Sequence, residues 1–303
     1  MLRFMLRTLL GVSLGLLAAL PLRADDALLK PFVLGTTPAG DMEQVVGSVK
    51  GALKAQGFEE AGSFMPYPGA TIVIVTSPEL KAVAAKSERG GFGAALRVAV
   101  TDVKGKLQVS YTNPVYMANA YRMAADLKDV AAKMEAALGK GEAFGAKGLT
   151  AAKLRKYHYA PMMEYFDDPS VLAEYASYDE AVKAVEAGLA AGKAGVTKVY
   201  RVDVPGKQES VFGVAMKAPT PDDKYMDDKY VMTEIDFRDV KSTAHLPYEV
   251  LVSGNKVYAL YARFRIAISF PDLSMMGSNS FMNIMKSPEA IRKALATAAG
   301  GKP

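Results

Sequence analysis

Methionine, tyrosine and phenylalanine dominate the side chains able to do chemistry in this chain, and they gather in a few places. Residues 268–285 read ISFPDLSMMGSNSFMNIM, four methionines and two phenylalanines among small polar residues. Residues 113–123, NPVYMANAYRM, repeat the mixture earlier in the chain. Such side chains are adaptable and apolar, and they suit a pliable pocket for an apolar ligand. Tyr116, Met117, Tyr121, Phe270, Met275, Met276, Asn279 and Phe281 are the candidate ligand-binding residues, since the centre around Met275-Met276-Gly277-Ser278-Asn279 lacks the periodicity of plain core. The structural alternative is packing of the segment that joins a hairpin to its following helix.

A metal reading rests on the only two histidines, His158 and His245. His158 lies near Met162 and Met163, and imidazole with thioether suits copper, whose reduced form favours soft ligands. Packing by Tyr157, Tyr159 and Phe166 is the simpler account of that stretch. His245 and Glu249 would share one helix face, but Pro247 between them breaks the helix, and on a strand they stand roughly 13 Å apart. Residues 222–230, DDKYMDDKY, lack the glycine turn of a calcium loop and read as a solvated loop or edge. The serine in Gly47-Ser48-Val49-Lys50-Gly51 directly follows glycine, so the nucleophile elbow is not formed, and no Gly-Lys pair precedes Ser or Thr as a phosphate loop requires. Gly90-Gly91-Phe92-Gly93 precedes a strand, where a dinucleotide fingerprint needs a following helix, and is expected to relieve backbone crowding. No catalytic residue and no cofactor is assigned, and the balance leans away from an enzyme.

The elements that would position these groups follow one succession twice. Residues 41–57 place Met42, Val45, Val46, Val49 and Leu53 on one helix face, with Asp41 and Gln44 as a capping box and Gly57 as the stop. Residues 177–192 repeat the design with Ser177 and Glu180, then Val182, Val185 and Leu189, at a constant offset of 136 residues. Strands are predicted at 59–65 and 70–76, and again at 199–204 and 210–217. Hairpins follow at 96–101 with 107–111 and at 248–253 with 257–261, the second turning at Gly254-Asn255. Helices at 124–138 and 288–299 close the two halves. Residues 31–36 supply the first strand of the first half, and the aromatic-rich 156–166 is the candidate for the second. Residues 140–152, rich in Gly and Ala, fit an exposed linker.

With that order in hand, each half resembles the bacterial family called domain of unknown function 302. The likeness sits in Ser77-Pro78-Glu79-Leu80, which opens a short helix, and in His245-Leu246-Pro247-Tyr248-Glu249-Val250, which leads into a strand. Family members typically carry cysteine after that leucine-proline, where this chain has Tyr248. The resemblance covers most of residues 31–138 and, with insertions, 157–299. It implies an α+β fold of two tandem β-α-β(4)-α units, each a curved antiparallel sheet with helices on one face, similar to the TATA-binding-protein-like arrangement. It implies no activity.

Charge and targeting set the remaining bounds. Arg3 and Arg7 precede an uncharged apolar run to Leu20, and Leu22-Arg23-Ala24 stands before two aspartates, the pattern of a signal peptide cleaved after Ala24. Retention as an anchor is the alternative. Residues 1–24 hold three arginines and no acid, so of 37 basic residues 34 remain against 32 acidic ones, a mature charge of +2 that offers no footprint for nucleic acid. Without cysteine there are no disulfides, thiolate sites or lipidated cysteine. The expected organisation is a signal peptide (1–24), a first unit (25–139), a linker (140–155) and a second, more divergent unit (156–303). The two units should form an intrachain pseudo-dimer with no membrane span, in the periplasm or secreted, binding a small apolar ligand or an envelope protein.

Overall fold

A computed structural model describes residues 27–303, so the predicted signal peptide lies outside the described residues. The protein is mixed α/β with two antiparallel sheets. The first half runs β1 (Phe32–Leu34), α1 (Met42–Ala55), β2 (Glu59–Phe64), β3 (Ala70–Thr76), α2 (Pro78–Ala85), β4 (Leu96–Val103), β5 (Lys106–Thr112), α3 (Pro114–Ala120) and α4 (Lys128–Leu138). After β6 (Ala143–Phe144) and α5 (Ala151–Arg155) come β7 (Ser170–Glu174), α6 (Tyr178–Ala190), β8 (Val196–Asp203), β9 (Glu209–Met216) and α7 (Asp228–Ile235). The chain ends with β10 (Tyr248–Ser253), β11 (Lys256–Ala259), α8 (Ala262–Ser269) and α9 (Ser287–Ala298). One sheet has the order β2-β3-β4-β5-β1-β6 and the other β8-β9-β10-β11-β7. Apart from β6, the strands take corresponding places in the two sheets.

Local chemistry explains the helices. Asp41 accepts the Gln44 amide at 2.9 Å while the Gln44 side chain accepts the Asp41 amide at 3.0 Å, which satisfies two orphan donors of α1. Val45, Val49 and Leu53 form its buried stripe, and Gly57 takes the left-handed conformation (φ 81°) just past the end. At α6, Ser177 accepts the Glu180 amide at 3.2 Å, but the Glu180 carboxylate reaches the Ala176 amide, one residue short of a reciprocal box. Ser77 caps α2 as its Ser-Pro-Glu-Leu sequence predicts.

Both faces of the central strands are covered, which is why β4 and β10 are buried almost without alternation. Helix α1 packs on β2, β3 and β4, and α6 packs on β8 to β11. The turn Thr243–His245 packs against β3, β4 and β5, where Thr101 Oγ1 donates to Thr243 Oγ1 at 3.0 Å. Reciprocally, the glycine turn Gly90–Gly93 lies on β9 and β10, and the Gly91 amide donates to Glu209 Oε1 at 2.7 Å. A Cβ on Gly91 would stand 2.5 Å from Leu251 Cδ1, so the glycine run does relieve crowding, between the sheets.

Several expectations are corrected. The strand β7 lies at Ser170–Glu174, while residues 156–166 are a loop tied down by Tyr157, whose hydroxyl donates to the Ala267 carbonyl at 3.1 Å. The 140–152 segment is no simple exposed linker, because β6 pairs with β1 and buries Phe144. Residues 222–230 form a short 3-10 helix and the start of α7, and Asp228 is buried, its Oδ2 accepting the Met216 amide at 2.8 Å. The element that follows the second hairpin, as α3 follows the first, is α8; the methionine-rich stretch comes after it. No helix among the described residues is long and apolar enough to cross a membrane.

Candidate functional site

Three charged side chains meet in the seam between the sheets. Arg97 enters from β4, Glu249 from β10 and Arg265 from α8, and all are at most 2 % exposed. Glu249 pairs with Arg97 and, through Oε2, with Arg265 Nε at 3.2 Å. The Arg265 guanidinium also donates to the Tyr121 hydroxyl at 3.0 Å and to the carbonyls of His245 at 2.8 Å and Pro247 at 3.1 Å. Its plane lies over the Tyr248 ring. Burial, together with the Arg265 charge, lowers the Arg97 pKa. The His245 ring is hydrogen-bonded to Ser269 Oγ at 2.8 Å and to the Tyr248 hydroxyl at 3.2 Å. Burial and the two guanidinium charges push its pKa well below the ordinary range, so the imidazole is neutral. Serine beside histidine is a nucleophile–base spacing, yet the far nitrogen meets a phenol and the group is sealed. Its chemistry is that of a lock.

The predicted ligand residues do not line one pocket. Tyr116, Met117 and Tyr121 are core, and the Tyr116 hydroxyl donates to the Ile268 carbonyl at 2.8 Å. That bond joins the two methionine-aromatic stretches across the seam. Met275 and Met276 are 62 % and 76 % exposed. Asn279 donates to the Glu234 carbonyl, and Phe281 is half-buried. The metal candidates separate as well: His158 Nε2 donates to the Met163 carbonyl at 2.8 Å and stacks on Tyr165, Met162 projects into solvent, and His245 belongs to the lock. Among the described residues no group of three or more His, Asp or Glu could hold a metal ion.

Of the candidates, Phe270 lines an open cleft of about 320 Å³ with Phe144, Ile235, Phe237, Val240 and Leu273. Helix α7 ends at Ile235, and the chain from Asp236 to Ser242 loops back because both Asp236 carboxylate oxygens accept the Ser242 amide, at 2.9 and 3.0 Å. Gln108 fixes the loop to the first sheet by donating to the Lys241 carbonyl at 2.8 Å and accepting its amide at 3.0 Å. Between these ends, Phe237 and Val240 are 48 % and 40 % exposed. Burial raises the Asp236 pKa to about 7 despite the Ser242 amide and the Lys241 charge. A second cleft, of about 390 Å³, shares Asp236 and Phe237 as its wall and adds Tyr67, Thr101, Lys229 and Lys241. The signal for these residues was faint: Phe237 and Val240 are apolar residues in an aperiodic stretch, and Phe144 stands beside glycine in the predicted linker.

Two antiparallel sheets closed on a charged lock, with an apolar cleft open beside it, define an α+β protein. Residues 35–141, from just after β1 through α4, match the family model described as Domain of unknown function DUF302, which supports that family. No curated protein and no solved structure matches the chain.

Proposed function

We propose that the chain is a non-enzymatic binding protein of two equivalent units, residues 25–139 and 156–303, which holds a small apolar ligand in the cleft beside Phe270. The observation that carries this reading is the exposure of Phe237 and Val240 on a loop held at both ends, beside the cleft that Phe270 lines. Exposed apolar side chains grouped in a concavity mark a place where something else supplies the burial. The common strand order of the two sheets and their reciprocal turns support a tandem, pseudo-dimeric arrangement. The TATA-binding-protein-like form is what the resemblance implies for each unit. The sequence of residues 1–24 supports export through a cleaved signal peptide, to the periplasm or the exterior.

Native mass spectrometry of protein purified from its own host tests the proposal. A retained small molecule, lost from Phe270→Ala protein, is expected; bare polypeptide under gentle ionisation contradicts it. An envelope protein retained in place of a small molecule would redirect the function to a partner at the same surface.

A further inference from the structure

The loop between α8 and α9 sorts its apolar side chains by chemistry. It buries Ile284 and half-buries Leu273 and Phe281, while Met275, Met276, Met282 and Met285 are 62 %, 76 %, 48 % and 55 % exposed. Every large apolar side chain that this loop leaves exposed is a thioether, and its pure hydrocarbon is turned inward. Leucine and methionine exchange readily where only apolar volume matters, so a surface serving an apolar partner alone gives no reason for that sorting.

The backbone gathers three of the four. Gly277 (φ 102°) and Asn279 (φ 51°) reverse the chain, so that the Phe281 amide donates to the Ser274 carbonyl at 2.9 Å and the Met282 amide to the Met275 carbonyl at 3.2 Å. Met282 and Met285 then bracket a 3-10 turn over residues 281–284, the Met285 amide facing the Met282 carbonyl at 3.4 Å. Residues three apart in such a turn eclipse, which sends these two side chains off one face. The Asn283 side chain donates to Glu234 Oε2 at 2.9 Å and the Asn279 side chain to the Glu234 carbonyl at 3.3 Å, holding the loop on α7. The neighbouring cation, Lys286, is drawn over the Tyr225 ring, 5.4 Å from its centre.

From this sorting and convergence we propose that Met275, Met282 and Met285 form a thioether site for a soft monovalent metal ion of the copper(I) class. Thioethers select copper(I) and are poor ligands for hard cations such as calcium and magnesium. The chain has no cysteine to compete for such an ion. None of the three methionines lines the Phe270 cleft, so the site is independent of the ligand proposed there. A thioether has no proton to lose, and binding through thioethers alone is therefore independent of pH.

Calorimetric titration of the purified protein with silver(I) nitrate in chloride-free buffer tests the site, silver(I) standing in for copper(I) without its redox chemistry. One saturable ion per chain is expected, with equal affinity at about pH 5 and about pH 8, and no competition from zinc(II). The triple variant Met275→Leu, Met282→Leu and Met285→Leu keeps the apolar surface and removes the sulfur. It should lose the site with its melting temperature unchanged, while Met162→Leu, at an exposed thioether elsewhere, should retain it. Failure of the wild type to take up silver(I), saturation that survives in the triple variant, or loss in Met162→Leu each overturns the proposal. Affinity that rises with pH assigns the ion to an imidazole and overturns it too.

Discussion

One part of the seam between the sheets seals charge away from water, and another part leaves hydrocarbon in it. In the lock, two guanidinium groups and one carboxylate lie buried with hydrogen bonds to Tyr121, His245 and Pro247. In the cleft, Phe237 and Val240 stand exposed on a loop held at both ends. Stability alone favours the reverse, since burying ions costs several kcal/mol each while burying a phenylalanine stabilises by about 1.5–3 kcal/mol. Within the lock, the Arg97–Glu249 pair links the first sheet to the second, while Arg265 joins Glu249 from the same half, so the cluster ties the two sheets at one point. The cleft is the surface to which the proposed function assigns a ligand.

The largest test of that contrast removes the shared carboxylate. Glu249→Ala leaves two buried guanidiniums facing one another and should destabilise the protein by about 3–5 kcal/mol in urea unfolding. Replacing all three groups together, Arg97→Met, Glu249→Leu and Arg265→Met, should restore most of the loss, because well-packed apolar groups can match a buried ion cluster. If the triple variant is as unstable as the single one, the lock contributes more than a tie between the sheets.

Asp236 gives the next effect. Its carboxyl has a pKa of about 7 in the fold, against about 3.9 in an unfolded chain, so the folded state binds the extra proton between those values. Its contribution is therefore fully present below about pH 4 and lost as pH rises through about 7, by at most about 4 kcal/mol. His245 acts in the opposite sense: its depressed pKa removes stability as pH falls below about 6.5. The difference between wild type and Asp236→Asn across pH 4–8 isolates the first term, and a flat difference curve would show that Asp236 ionises freely.

Gly91→Ala sharpens the contrast from the packing side. Its Cβ would meet Leu251 Cδ1 at 2.5 Å in the closed part of the seam, and a loss of about 1–3 kcal/mol is expected in thermal unfolding. The smallest effect belongs to the open part. Val240→Ser should change stability by no more than about 0.5 kcal/mol, and a larger loss would mean that Val240 is packed as core.

How far the sequence disclosed this arrangement depended on whether its signals were local. The stripes of α1 and α6 could be read because Val45, Val49 and Leu53, like Val185 and Leu189, recur at the helical period beside good caps. β7 was missed because SVLAE is short and partly polar, while the aromatic 156–166 stretch looks more strand-like and instead packs as a loop through Tyr157 and Phe166. Asp228 sits in an acidic run that reads as solvated, yet it is buried against the Met216 amide. The lock joins residues of two sheets far apart in the chain, and no local pattern links an arginine in one strand to a glutamate in another. Phe270 alone of the proposed ligand residues reached the cleft, since the others of its segment packed inward or outward according to a turn the sequence does not spell out.

The account stands most directly on whether the cleft accepts an apolar group. The chain has no tryptophan, so the fluorescence of an anilinonaphthalene sulfonate probe can be followed without interference from indole. Wild type should show one saturable site that Phe237→Asp abolishes with its melting temperature unchanged. Saturation that survives in Phe237→Asp would place the apolar surface elsewhere and contradict the account.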